Sequence, residues 1–211
     1  MFINKLLKPV YQPRGLYLKP LLVETSKGHR GGVVNYQKIK TQIIYACNNA
    51  KNDYVSTLFD LYRLPENFPG KSAAEYARLR GGHEKAVYLE RCLSEDIGSR
   101  KLIANLMVHE FEALLFVQPE CFRDEHLVTP KVIKQLLAEK ANNAPEEIND
   151  GAETAPSKRI IKAFPPYKRG KLGYSSLIAP KIGLEAMRQT CPHFNGRLAR
   201  FDELANLARY S

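Results

Sequence analysis

Two near-continuous apolar runs, at residues 54–59 and 102–108, end abruptly in ionisable side chains. Asp60 closes the first, and His109, Glu110 and Glu112 follow the second. A strand buried on both faces of a parallel sheet reads as an unbroken apolar run, whereas a strand with one wet face alternates. Ligands in open α/β sheets sit just beyond the C-terminal ends of such strands. The runs therefore predict a parallel sheet that presents carboxylates at one edge, without naming a reaction.

The rest of the chain supplies the crossovers that parallel strands need. Residues 3–10 form a short amphipathic segment ended by Pro13 and Gly15, and residues 16–25 predict a strand in spite of Pro20. Gly31 and Gly32 then open a helix in which Tyr36, Ile39, Ile43 and Cys47 recur at helical spacing and make one face apolar. A Pro- and Gly-punctuated loop over 63–70 leads to helices over 73–80 and 83–97, the second with Ala86, Leu89, Leu93 and Ile97 as its buried stripe. After the run at 102–108, residues 110–116 predict a helical segment, and Thr129 with Pro130 reads as an N-cap followed by a first-turn proline. No later stretch is strand-like. It reads as short helices between polar loops, the last carrying Phe194, Leu198, Phe201 and Leu204 on one side.

Strand, helix, strand, helices, strand is the order of an α/β fold, a parallel sheet flanked by helices, here with a helical C-terminal part. A chain of 211 residues with 44% hydrophobic composition buries enough core for one domain, expected as an α/β core over 1–128 with a helical extension over 129–211 packed on it. No stretch approaches a membrane span and no secretory signal opens the chain, so the expectation is a cytoplasmic protein with no membrane partner. Cys47, Cys92, Cys121 and Cys191 stand apart, without the spacing of a zinc site or a disulfide framework.

Charge points to the partner. With 32 Lys and Arg against 22 Asp and Glu the net charge is +10, which favours a polyanion, nucleic acid first. Lys158, Arg159, Lys162, Lys168, Arg169 and Lys171 are interleaved with Phe164, Tyr167 and Tyr174, the mixture of phosphate contacts and stacking faces that single strands use, unless those aromatics are core. Asn149, Asp150 and Gly151, followed by Ser157 and Lys158, form a turn into a helix whose first amides suit a phosphate, or ordinary turn-and-cap chemistry. The loop with Ser26, Gly28, His29, Gly31 and Gly32 lacks the Gly-Lys-Ser/Thr ending of a phosphate loop.

The stretches GLYLKPLLVETS, GGVVNYQKIK, YVSTLFDLYRLPENFPG, LMVHEFEALLF, EEINDGAETAPSKR and TCPHF, in that order over nearly the whole chain, resemble the bacterial family catalogued as domain of unknown function 4276. That family looks like a divergent member of the Toprim-like group of topoisomerase, primase and overcoming-lysogenization-defect (OLD) nuclease domains. The resemblance implies a Toprim-like sheet in which a glutamate after the first strand and an Asp-x-Asp after the third hold magnesium, or manganese in its place, for phosphodiester chemistry. It also implies work in nucleic-acid processing and defence beside an ABC- or OLD-type ATPase subunit. Asp60 corresponds to the first aspartate of the Asp-x-Asp pair, but Tyr62 stands where the second would be. The family's opening strand and its glutamate are expected before the helix into which Met1 falls, so the resemblance implies a truncated form, a late-assigned start or a degenerated site. The expectation is weak or no nuclease activity from this chain alone, and an uncovered sheet edge that invites a homodimer or a partner.

The acids carry a reading of their own. Magnesium takes oxygen ligands, often one or two carboxylates plus waters and phosphates, so Asp60 with Glu110 or Glu112 would suffice, with His109 as a further catalytic candidate. Alternatively Glu110 and Glu112 are first-turn acids favoured by the helix dipole, with His109 near the N-cap. If the metal reading holds, Asp60 and residues 109–112 share one cleft, and Lys158, Arg159 and Lys162 contact phosphate. Two functions follow: a metal-dependent nuclease or nuclease-derived subunit, and a non-catalytic basic module that binds nucleic acid or protein.

Overall fold

The computed structural model describes residues 2–26, 29–30, 35–51, 53–140, 144–148 and 154–208. The chain divides into two compact units, one formed by Leu21–Val108 and the other by Met1–Pro20 together with His109–Ser211. The divisions fall at 20/21 and 108/109, not at the expected 128/129.

The chain opens with a helical stretch, Ile3–Leu7, continuing as α1 (Lys8–Tyr11) and a 3-10 turn at Gln12–Arg14. In the unit Leu21–Val108, β1 (Glu24–Ser26) pairs antiparallel with β2 (His29–Arg30). The strand expected over 16–25 is thus confined to its last residues. Pro20 has no amide hydrogen to give a ladder, and Tyr17, Leu21 and Leu22 remain exposed, so the segment lacks the burial that pays for a paired strand. Helix α2 (Tyr36–Asn49) is capped by the Asn35 side chain, which accepts the Gln37 amide, and it buries Tyr36, Ile39, Ile43 and Cys47 as the spacing predicts. The glycines expected to open it lie outside the described residues.

The two apolar runs do form parallel strands, each broken once. β3 (Val55–Ser56) and β4 (Phe59–Asp60) pair with β5 (Leu102–Ile103) and β6 (Leu106–Met107) respectively, with Asp60 opposite Met107. The break has a cause. Thr57 is buried between the two pieces, and its hydroxyl both accepts the Asn105 amide at 2.7 Å and donates to the Asn105 carbonyl at 2.8 Å, replacing ladder bonds with side-chain bonds. Helices α3 (Ala74–Arg78) and α4 (Gly82–Ile97) lie between the runs in sequence. Ala86, Leu89 and Leu93 of α4 join Ile39, Ile43, Phe68 and Leu106 in one core.

In the other unit the 3-10 turn Phe111–Phe116 is followed by α5 (Pro130–Lys140), α6 (Pro156–Ala163), α7 (Tyr167–Ile182), α8 (Leu184–Thr190) and α9 (Pro192–Ala208). The expected C-terminal helices are present, with Phe194, Leu198 and Phe201 of α9 buried. Among the described residues no helix is long and apolar enough to cross a membrane.

A shared ion pair closes this unit on its own N-terminal segment. Asp202 of α9 bridges Arg14 and Arg188, the latter at 2.8 Å, while Tyr11 beneath them donates to the Leu198 carbonyl at 3.2 Å. Burial, and then the neighbouring Asp202 charge, push the Tyr11 hydroxyl up to about 12. Burial also pushes the Asp202 carboxyl up, but the hydrogen bonds and charges of the two arginines outweigh it and hold it below the usual aspartate range. A depressed carboxyl contributes stability above its unfolded value and loses it as pH falls toward the folded one. The parent should therefore lose melting temperature more steeply than Asp202→Asn as pH drops below about 4. Parallel acid-side slopes in thermal melts would remove the bridge from the stability account.

Candidate functional site

His109 immediately precedes the acids in the chain. It sits at φ 63°, a left-handed conformation that His adopts more readily than bulky apolar residues. Glu110 then returns to extended backbone and caps the 3-10 turn with its carbonyl, which accepts the Ala113 amide at 3.0 Å. The turn starts at Phe111, so His109 and Glu112 do not share a helical face. His109, Glu110 and Glu112 are all buried.

The Glu110 side chain goes to α6. Ala155 precedes that helix and has no side chain to accept an amide, and Pro156 occupies its first position. Ser157 therefore turns to Glu110, donating its amide to Oε2 at 2.9 Å and its hydroxyl to Oε1 at 3.2 Å. Burying a carboxylate costs several kcal/mol. Two hydrogen bonds to a charged acceptor, about 1.5–3 kcal/mol each, and a helix N-terminus contributing up to about 2 kcal/mol offset it without a cation. The phosphate position expected at the start of this helix is filled by the protein's own carboxylate, and the turn expected at Asn149, Asp150 and Gly151 lies outside the described residues.

The same device recurs within this unit. Buried Glu146 accepts the amides of His193 and Phe194, each at 2.9 Å, at the start of α9, another proline-led helix.

Glu112 is engaged from a different side. Lys171 of α7 lies 2.9 Å from its Oε1, and the Tyr167 hydroxyl, 3.5 Å away, also bonds Ser175 at 2.8 Å. Burial and the Glu112 charge push the Tyr167 hydroxyl far up, so it stays a neutral donor. Glu112 has 9% side-chain exposure and Lys171 40%, so the pair carries one charge to the surface.

Asp60 belongs to the unit Leu21–Val108, half-buried at the end of β4. Among the described residues no group of three or more His, Cys, Asp or Glu side chains is arranged to hold a metal ion. The donor set around Glu110 and Glu112 does not fit magnesium, because a cation there would have to displace the Ser157 and Lys171 donors.

Of the expected phosphate contacts, Lys158 is half-buried and Lys162 exposed, but Arg159 is held by Glu139 and by the Thr154 carbonyl. The stacking faces expected nearby are core. Phe164 and Tyr167 are 1% and 0% exposed, and Tyr174 is half-buried, 5.1 Å from the Phe164 ring and 5.9 Å from that of Tyr167. Sequence reasoning missed Lys171 as a partner of Glu112 and Glu146 as a cap, since neither carries a local signal.

These contacts rank the mutations. Glu110→Gln and Ser157→Ala should each lower unfolding free energy by about 1–2 kcal/mol, whereas Glu112→Gln, opposite a partly exposed lysine, should cost less than about 1 kcal/mol. Denaturant titration without added metal checks the order, and a larger loss for Glu112→Gln than for Glu110→Gln would contradict it.

No curated protein and no solved structure matches this chain. A family model does, that of the domain of unknown function DUF4276, over residues 1–201, and the chain belongs to that family.

Proposed function

We propose that this protein is a basic nucleic-acid-binding module whose phosphate contacts come from α6 and α7. One observation carries the reading. From Thr154 to Leu184 the chain has seven Lys and Arg and no Asp or Glu. Arg159, Lys171 and Lys181 are ion-paired with acids from elsewhere. Among the described residues Lys158, Lys162, Lys168 and Arg169 have no such pair, and the last three are exposed. Arg159 then anchors the helix, while Lys158, Lys162, Lys168 and Arg169 face the polyanion. The family resemblance adds a Toprim-like ancestry and service beside an ATPase subunit.

A second reading, a metal-dependent phosphodiesterase centred on Asp60, is favoured by one feature. Asp60 ends a parallel strand in register with Met107, where α/β sheets place their ligands. Cleavage of nucleic acid in Mn²⁺ that is abolished by Asp60→Ala would favour it over the binding module.

For the leading reading, affinity should fall steeply with salt through counterion release. Removing Lys162 and Lys168 together should reduce the log–log salt slope by about 1 for each lost phosphate contact. Arg159→Ala should instead act through stability, by releasing Glu139. Salt-insensitive binding, or none at low ionic strength, would reject a polyanion partner.

A further inference from the structure

The basic surface of α6 and α7 carries a protruding apolar side chain, Leu172 of α7, which is 79% exposed. A single exposed leucine is ordinary on a protein surface, so its setting decides what it means. Lys168 and Arg169, exposed and without an acidic partner among the described residues, precede it by four and three positions. Lys171, 40% exposed at its side chain, is its neighbour in the chain.

Two glycines flank this leucine for different reasons. Gly170 has a non-helical φ of −117° and ψ of 20°, and a Cβ there would meet Tyr174 Cε2 at 2.7 Å, so the packing of the helix itself demands glycine at the bend. Gly173 sits exposed inside the helix, where a Cβ would meet nothing within 4 Å. Glycine is the costliest residue in a helix interior after proline, and at Gly173 no internal contact requires it. Bare backbone of this kind suits close approach from outside.

The approaching group is anionic, because from Thr154 to Leu184 no acid balances the cations around Leu172. A splayed single strand does not fit, since the rings that would carry its bases are turned inward: Phe164 and Tyr167 are core, and Tyr174 packs against both. A lipid surface fits poorly too. Leu177, the next large apolar side chain exposed on the helix, is five positions on and about 140° round its circumference, whereas a helix lying in a membrane presents a continuous apolar face. One aliphatic side chain among cations suits a base step, which leucine can open from the groove while the cations hold the phosphates beside it.

We propose that Leu172 is a wedge that enters a base step of duplex nucleic acid and kinks it, with Lys168 and Arg169 on the neighbouring phosphates and Gly173 leaving room for the duplex backbone. The inference rests on the polyanion reading of α6 and α7 and deepens it, naming a bent duplex as the ligand class.

The test uses the full chain with a short duplex labelled at both ends, and with the same duplex carrying one mismatch, where part of the unstacking is already done. Energy transfer between the ends should rise as the parent binds, and the parent should hold the mismatched duplex about 10-fold more tightly than the matched one. Leu172→Ala, at a position with little packing to lose, should abolish both the rise and the mismatch preference and leave the salt slope of binding unchanged. Gly173→Gln should weaken duplex binding while raising the melting temperature, a combination that loss of fold cannot produce. Salt-dependent duplex binding with no change in energy transfer, or a rise that survives Leu172→Ala, overturns the wedge and leaves the polyanion reading intact. Binding confined to vesicles of anionic phospholipid, or no binding to nucleic acid at low salt, overturns both.

Discussion

The unit containing His109–Ser211 depends on carboxylates buried against helix N-termini. Glu110 holds the start of α6 through Ser157, and Glu146 holds the start of α9 through His193 and Phe194. Each of these helices begins with proline, which removes one orphan amide but supplies no acceptor for the next two. A remote glutamate does what a local Ser or Asp does elsewhere, and so ties distant chain segments together. Glu110 binds a residue 47 positions away, and Glu146 likewise spans 47 and 48 positions to its two amides. A local cap could not impose that tertiary constraint.

This arrangement changes what an acid after a strand means. A carboxylate at the end of an apolar run is compatible with a metal ligand and with a helix cap, and the two differ only in which donors reach it. Here Ser157 reaches Glu110, and Lys171 with Tyr167 reaches Glu112. Two residues apart, the acids serve different helices, Glu110 serving α6 and Glu112 serving α7. The net positive charge then resides on cations that the buried acids do not consume.

Much of the fold was legible in the sequence because it rests on periodicity. The apolar face of α2 at Tyr36, Ile39, Ile43 and Cys47, the stripe on α4, the parallel pairing of the two apolar runs and the helical C-terminal part all follow from local spacing. Over 16–25 the apolar content suggests a longer strand than forms, because apolar content alone does not supply a partner, and Tyr17, Leu21 and Leu22 stay exposed. Composition located the basic cluster of α6 and α7 but not the orientation of its aromatics, since Phe164 and Tyr167 face inward to pack the core and only burial distinguishes them from stacking faces. The caps by Glu110 and Glu146 were illegible for a different reason: a contact across 47 residues leaves no trace in spacing.

The Glu110 carboxylate belongs to the N-terminus of α6. Hydrogen exchange at the Ser157 amide, followed by NMR, addresses that bond directly. The amide should be protected in metal-free protein and lose that protection in Glu110→Ala, with the amide of Phe164 at the far end of α6 unaffected. Free exchange at Ser157 in the metal-free parent, or protection that appears only when Mg²⁺ is added, would contradict it.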